Sequence, residues 1–261
     1  MITSINNPKI RLVRGLLTKK SERNKNRQFA IEGVRLCEEA LSARWRPDLV
    51  LFSAGLSDRG KHLITEFEQL GVEIELVSDN LFKSLSDTET PQGILGVCPQ
   101  QKIPFPKSPH FVLICDGIRD PGNMGTILRS AAAAGTQAVI TTPGTTDPFA
   151  PKVVRAGMGA HFHIPILNLT WEEITSLTNS DPVHPINLFV AESNGGTPYW
   201  QQPLTGPVGL IIGGEANGPS QQAFKAASGK IFIPMEPTIE SLNAAIAASI
   251  LLFEVARQRN T

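Results

Sequence analysis

Apolar residues in this chain fall into short runs, separated by polar stretches whose remaining apolar positions recur at helical spacing. In residues 1–27, Ile10, Val13, Leu16 and Leu17 recur in this way within a polar, basic segment, which predicts an amphipathic helical lead-in. Phe29 to Ile31 reads as a short strand, followed by a helix from about Gly33 to Ser42. Leu49 to Phe52 and Val72 to Val77 read as strands, the second alternating apolar and acidic residues, with a helix from Gly60 to Leu70 between them. Phe82 to Leu85 belongs to a short helix, and Gly93 to Cys98 closes the set as a strand. Residues 1–98 are therefore expected to form a small α/β domain of ordinary size. Pro99, Pro104, Pro106 and Pro109 then break any helix or central strand, so 99–109 is expected to be a linker.

Beyond the linker the rhythm changes. Continuous apolar runs at 111–115, 138–142, 162–167, 187–191, 208–212 and 230–234 lack alternation, as strands covered on both faces do. Helical patterns at about 123–134, 150–158, 171–178, 219–227 and 241–258 separate them. This alternation predicts a largely parallel sheet with helices on both faces over residues 110–261. The last helix is apolar nearly all round, with Leu242, Ile246, Ile250, Leu251, Leu252 and Val255 among small alanines. One sheet face cannot bury that surface, whereas a two-fold symmetric second copy would.

Three junctions in this half carry candidate chemistry. After the strand Phe111 to Cys115, the loop Asp120-Pro121-Gly122-Asn123 leads into a helix with Asn123 as the expected N-cap. Arg129 lies off that helix's apolar stripe, with Gly125 and Ala133 one turn away on either side. An ordinary strand–helix junction with a solvated arginine fits the same residues. The run Val208 to Ile212 ends in Gly213-Gly214-Glu215-Ala216-Asn217-Gly218-Pro219, a loop expected at the carboxyl edge of the sheet, where open α/β folds bind ligands. It also fits a plain turn with an exposed acid. Ile231 to Met235 leads to Ser241-Leu242-Asn243, with Ser241 as the expected cap of the long helix.

Composition refines this picture. Net charge is zero, with 24 basic and 24 acidic residues, so affinity for nucleic acid is not signalled globally. Locally, Lys9, Arg11, Arg14, Lys19, Lys20, Arg23, Lys25 and Arg27 face a single acid, Glu22. That segment fits either a phosphate-rich partner or a solvated helix face. Cys37, Cys98 and Cys115 are far apart and have no metal-ligand spacing, so free buried thiols are expected. His161 and His163 lack a third ligand nearby, and no metal is expected. No apolar run is of bilayer length and no signal-peptide core opens the chain, so a cytoplasmic protein without membrane attachment is expected.

Taken in order, the three junctions resemble the motifs of the SpoU (TrmH-like) family of RNA 2′-O-ribose methyltransferases, within the SPOUT superfamily. Asp120-Pro121-x-Asn123-x-Gly125-(x)₃-Arg129 is similar to its first motif and Gly213-x-Glu215-x-x-Gly218 to its second. Ile233-Pro234-Met235 with Ser241-Leu242-Asn243 is similar to its third. In the first domain, Asn7-Pro8-Lys9, Phe29-x-x-Glu32-Gly33 and Ser86-Asp87-Thr88-x-Thr90-Pro91-Gln92-Gly93 resemble the family's RNA-binding domain, which has a ribosomal-protein-like fold. The resemblance implies a deep trefoil knot in the second domain, a homodimer formed through the C-terminal helix, and S-adenosylmethionine (SAM) as cofactor. The implied cofactor positions are Gly213, Gly214, Ile233, Met235, Leu242 and Asn243. Arg129 is the implied catalytic residue, with Asn123, Glu215, Ser241 and Asn243 orienting it and the ribose.

A guanidinium stays protonated. Arg129 is therefore expected to grip the target phosphate and hydroxyl while the phosphate accepts the proton; the alternative is that Glu215 takes it directly. Ribosomal RNA is the expected substrate ahead of transfer RNA. The rivals are a non-catalytic RNA-binding or ribosome-assembly factor, an α/β enzyme with another nucleotide cofactor, and a resistance methyltransferase with the same chemistry. The absence of GxGxxG and of a phosphate-binding Gly-x-x-x-x-Gly-Lys-Ser/Thr loop argues against the second of these.

Overall fold

The computed structural model describes residues 1–86, 88–100 and 103–260. Asp87 of the N-terminal motif and Gln101 and Lys102 of the expected linker lie outside the described residues. The chain forms two compact units. One comprises Met1–Lys102 together with Phe149–Phe162, and the other Ile103–Pro148 with His163–Thr261.

In the first unit the lead-in is two helices, α1 (Pro8–Thr18) and α2 (Lys20–Asn26). Asn7 caps α1 by accepting from the Lys9 N–H, and Pro8 sits in the first turn, where its missing N–H costs nothing. Strand β1 (Gln28–Glu32), helix α3 (Val34–Ser42), strand β2 (Leu49–Ser53) and helix α4 (Asp58–Gln69) follow. Strand β3 (Glu73–Val77), helix α5 (Asp79–Leu85) and strand β4 (Ile94–Pro99) complete the set. The sheet order is β1-β4-β2-β3, with only β2 and β3 parallel. Ile10, Val13 and Leu16 of α1 are fully buried with Leu51, Phe82 and Leu95, so the helical spacing in the sequence marks the face that holds the lead-in down.

Two cations of the basic segment have structural posts. Arg23 is buried and its Nη1 donates to the Leu16 carbonyl at 2.6 Å. Lys9 reaches across to Glu73 at 2.7 Å and also to Glu75. The surface open to a phosphate is therefore narrower than the charge pattern suggests, and Arg11, Lys19, Lys20, Lys25 and Arg27 are the exposed members. The Glu32-Gly33 and Gln92-Gly93 motifs meet here. Glu32 accepts from the Ser86 hydroxyl and from Thr88 Oγ1 at 3.0 Å, while Gln92 Oε1 accepts from the Val34 N–H at 2.8 Å.

In the second unit, strand β5 (Phe111–Asp116), helix α6 (Pro121–Ala133) and strand β6 (Ala138–Thr141) lead off. The chain then contributes helix α7 (Pro151–Gly157) and a 3₁₀ turn at Ala160–Phe162 to the first unit. Strand β7 (Ile166–Asn168), helix α8 (Trp171–Thr178), strand β8 (Asn187–Glu192) and the two-residue strand β9 (Thr197–Pro198) follow. Strand β10 (Val208–Gly213), helix α9 (Gln221–Ala226), strand β11 (Gly229–Phe232) and helix α10 (Ala244–Arg259) end the chain.

The seven strands run β7-β6-β5-β10-β8-β11-β9, every pair parallel. The strand expected at 162–167 is corrected to Ile166–Asn168. His161 and Phe162 are instead buried beside Phe29, His161 at 6.1 Å between ring centroids and in contact with Phe149. Their apolar character serves the first unit's core. Strand β5 is buried throughout, as its unbroken apolar run requires.

Candidate functional site

Strand β5 leads toward one edge of the sheet through β6 and β7, while β10 lies on its other side and leads toward the opposite edge. The crevice at the carboxyl ends of two such strands is where an open α/β sheet has room for a ligand. The loops after β5 and β10 meet there. The Gly214 N–H donates to the Asp116 carbonyl at 2.9 Å, and the Gly218 N–H turns back onto the Gly214 carbonyl at 2.9 Å. A Cβ at Gly213 would stand 2.1 Å from the Pro219 nitrogen, and one at Gly214 would stand 2.3 Å from the Gly117 oxygen. Both positions demand glycine because backbone packs on backbone.

Helix α6 begins two residues earlier than the pattern implies. Asp120, not Asn123, is its N-cap, accepting from the Asn123 N–H at 2.8 Å, and Pro121 fills the first turn. The cap therefore leaves the Asn123 side chain free. Its Nδ2 donates to Glu215 Oε1 at 2.8 Å, and its Oδ1 accepts from Asn243 Nδ2 at 2.9 Å. Helix α10 is capped by Asn243 rather than Ser241, through Oδ1 to the Ala245 N–H at 2.9 Å and the Ile246 N–H at 3.3 Å. A helix needs its cap oxygen within reach of the second or third N–H, and Ser241 lies too far upstream of Ala244. Asn243, Asn123 and Glu215 thus form one hydrogen-bonded chain joining all three motifs.

Glu215 also accepts from the backbone N–H groups of Arg119 at 3.1 Å and Asp120 at 3.4 Å. Partial burial pushes its carboxyl up, but the bonds from Asn123, Arg119 and Asp120 prevail and hold it below the usual carboxylate range. It is a fixed anion and a weak base.

Beside this chain lies an open cavity of about 250 Å³. Gly213, Gly214, Ile233, Met235 and Leu242 line it, as do Glu215 and Ser241. Ile212, Ile231, Ala247 and Leu251 supply apolar walls, while the glycine loop offers backbone polar groups. An apolar slot with a few backbone donors and acceptors suits a nucleoside. Asn243 is not among the lining residues, because its side chain is committed to the α10 cap and to Asn123. Arg129 is exposed on α6, outside the cavity wall, and forms no ion pair among the described residues.

The sequence pattern did not single out Ala191, Glu192 and Ser193, which also line the cavity. Their signal was the end of β8, a third strand reaching the same edge. Asp116 was missed too. It is a carboxylate closing an otherwise apolar strand, 5 % exposed, and it accepts from Thr142 Oγ1 at 2.8 Å and the Ser220 N–H at 2.7 Å. Among the described residues no cluster of His, Cys, Asp and Glu could hold a metal ion, and no helix is long and apolar enough to cross a membrane.

The chain is similar to known proteins over most of its length. A 23S rRNA (guanosine(2553)-2′-O)-methyltransferase, RlmP of Bacillus subtilis, is 33 % identical, covering 97 % of this chain and 98 % of its own. The human mitochondrial rRNA methyltransferase 3 is 34 % identical, over 90 % of this chain and 69 % of its own. Among solved structures, an rRNA methyltransferase from Sinorhizobium meliloti superimposes with a TM-score of 0.85 at 30 % identity, covering 98 % of this chain and 96 % of that one. The SpoU methyltransferase AviRb from Streptomyces viridochromogenes, in complex with AdoMet, superimposes with a TM-score of 0.87 at 26 % identity, over 97 % and 99 % of the two chains. Residues 7–96 match the MRM3-like substrate binding domain. Residues 110–253, which carry the Asn243–Asn123–Glu215 chain and the cavity beside it, match the SpoU rRNA Methylase family, and the chain belongs to that family.

Proposed function

We propose that this protein is a SAM-dependent 2′-O-ribose methyltransferase acting on ribosomal RNA. The observation that carries the reading is the hydrogen-bonded chain Asn243–Asn123–Glu215 along the edge of a nucleoside-sized cavity. A pure binding protein has no need to lock three polar side chains from three separate loops against one another. The relatives named for rRNA methylation support ribosomal over transfer RNA.

When bound, SAM supplies an electrophilic methyl group. Gly213, Gly214, Ile233, Met235 and Leu242 would hold it, the glycines through backbone groups and the others through apolar contact. A ribose hydroxyl must lose its proton to attack, and alignment supplies much of the remaining rate. Glu215 is already an anion with three donors, so it positions rather than accepts the proton. Arg129 grips the target phosphate and hydroxyl with its guanidinium fork and lets a phosphate oxygen take the proton. The exposed position of Arg129 suits a residue whose partner is the RNA.

The first unit binds the RNA, supported by its substrate-binding-domain match and by exposed Arg11, Lys19, Lys20, Lys25 and Arg27. The second unit is threaded as the family's trefoil knot. The protein is a cytoplasmic homodimer joined through α10, whose Ile246 and Phe253 are 53 % and 50 % exposed.

Methylation of total RNA with labelled SAM, wild type beside Arg129→Ala, tests the whole reading. Label on a ribose 2′-oxygen of ribosomal RNA, lost in the variant, is the expected result. Label on transfer RNA would move the substrate. Tight SAM binding without label on any RNA or ribosomal particle would favour a non-catalytic assembly factor.

A further inference from the structure

Two further cavities lie beside the first along the carboxyl edge of the sheet. The middle one, about 350 Å³, shares Gly214, Gly218 and Pro219 with the cofactor cavity and also carries Arg119. The outer one, about 320 Å³, shares Asp116, Pro143 and Ser220 with the middle one. Its remaining wall is Thr142, Thr170, Trp171, Glu172 and Gln222. Each neighbouring pair is divided by the residues it shares, so the three lie side by side within the second unit.

The outer cavity has a definite chemistry. Trp171 is half-buried, packs against the core under α8 and α9, and lines this cavity. A partly open indole is a stacking platform for any base. Asp116 is a buried carboxylate whose oxygens each accept one protein donor. A carboxylate has about four acceptor positions, so about two remain for a ligand. Glu172, exposed on the first turn of α8, adds a second carboxylate at the rim. An aromatic wall with acceptors at floor and rim fits a flat ligand rich in N–H donors.

We propose that this outer cavity receives the splayed-out base of the acceptor nucleotide, stacked on Trp171 and read by Asp116 and Glu172, and that it selects a base presenting adjacent N–H donors. The assignment rests on the methyltransferase reading above, in which the ribose sits beside the cofactor cavity and the base must leave its stack to bring it there. Guanine offers N1–H and the 2-amino group side by side to one carboxylate. Uracil offers a single N–H flanked by two carbonyl oxygens, which a carboxylate repels. Gln222 supplies an amide for the base's own acceptors.

Two measurements test it. The first is saturation-transfer NMR of the protein with GMP, AMP, CMP and UMP, each with wild type, Trp171→Ala, Trp171→Phe and Glu172→Gln. Saturation of GMP base protons is expected in wild type and Trp171→Phe, lost in Trp171→Ala, reduced in Glu172→Gln, and weaker for UMP throughout. Equal signals for GMP and UMP in wild type, or GMP signals indifferent to Trp171→Ala, would overturn the assignment. The second is methylation kinetics. Trp171→Ala is expected to raise KM for RNA about 10-fold, with SAM affinity unchanged by calorimetry and recovery in Trp171→Phe. An unchanged KM alongside normal wild-type turnover overturns the base seat alone. Absence of wild-type methylation strikes the methyltransferase reading itself, and the nucleotide NMR still decides whether the cavity takes a base. Glu172 is fully on the surface, so its variant keeps the test sound if Trp171→Ala fails to fold.

Discussion

Asn123 donates its side-chain amide to Glu215 Oε1 at 2.8 Å, bridging the first turn of α6 and the loop after β10. Its carbonyl takes the Asn243 amide at 2.9 Å, so one residue holds two others in register. Asn123→Ala is expected to leave both partners to water. The stability loss should stay near 1 kcal/mol, since the groups are exposed and rehydrate, while kcat should fall at least 10-fold because the three loops lose alignment. Asn123→Asp should be worse, placing two carboxylates at hydrogen-bond distance. Single-turnover methylation and thermal unfolding of both variants measure this. Equal kcat for wild type and Asn123→Asp would remove the positioning role.

The same chain predicts a pH dependence. Glu215 has a folded-state pKa below its ordinary value. Its stabilising contribution is therefore complete above about pH 4.3, the unfolded value, and disappears as pH falls through the lower folded value. The melting-temperature difference between wild type and Glu215→Gln should be constant from pH 8 to 5 and shrink on further acidification. A difference that grows on acidification would reverse the assigned sign.

Gly214 can be probed directly. Its added Cβ would meet the Gly117 carbonyl oxygen at 2.3 Å, and both atoms belong to backbone that β5 and β10 hold in place. Gly214→Ala is expected to cost about 1–3 kcal/mol and to weaken SAM binding, because the loop moves away from the cavity it lines. Thermal melts and calorimetric titration with SAM check both parts. Gly117 is open at its own Cβ position, but its φ of +76° strains any other residue, so an alanine there is a poorer control than one at Gly206, whose Cβ would meet nothing within 4 Å.

How much of this was legible beforehand depended on whether one local interaction decided the outcome. Strands β5 and β10 were readable because an unbroken apolar run has few other homes. The helix starts were not, since Asp120 and Asn123 are both good caps; Pro121 was the overlooked clue, because proline favours the first helical position and so marks the residue before it. Strand β9 has no apolar run, and Thr197-Pro198 pairs only because β11 lies beside it. Nothing in the spacing of Phe149 and His161 says that they pack against Phe29 rather than the sheet that flanks them in sequence. Arg23 looked like one more solvated cation until the Leu16 carbonyl claimed it. The motif residues were recognisable, but their linkage through side-chain bonds needed coordinates.

The three cysteines should be chemically silent in the folded protein. Burial pushes the thiols of Cys37 and Cys115 up to about 12 and that of Cys98 well above its ordinary value, and the thiolate is the reactive form. No thiol should react with a disulfide reagent at pH 7.5 within the lifetime of the native state, and all three should react on denaturation. Fast stoichiometric labelling of native protein would show that one of these cores opens readily.

The exposed face of α10 gives the sharpest test of assembly. Ile246 and Phe253 lie seven residues apart and so on one side of the helix, with Ile250 between them. About half of each of the outer two side chains is open in the isolated chain, on a helix whose other side packs against α6 and β10. Hydration of that stripe is unfavourable at roughly 25 cal/mol per Å² of apolar surface, and a two-fold partner would cover it with the same stripe of its own α10. Ile246→Glu with Phe253→Glu would place like charges across that axis. Analytical ultracentrifugation should find wild type as a dimer and the double variant as a folded monomer. Residues on the cavity-facing side of α10, Ala247 and Leu251, are untouched, so SAM affinity reports whether the cavity survives in one chain alone. A double variant that still sediments as a dimer would place the interface elsewhere and leave this apolar stripe without a partner.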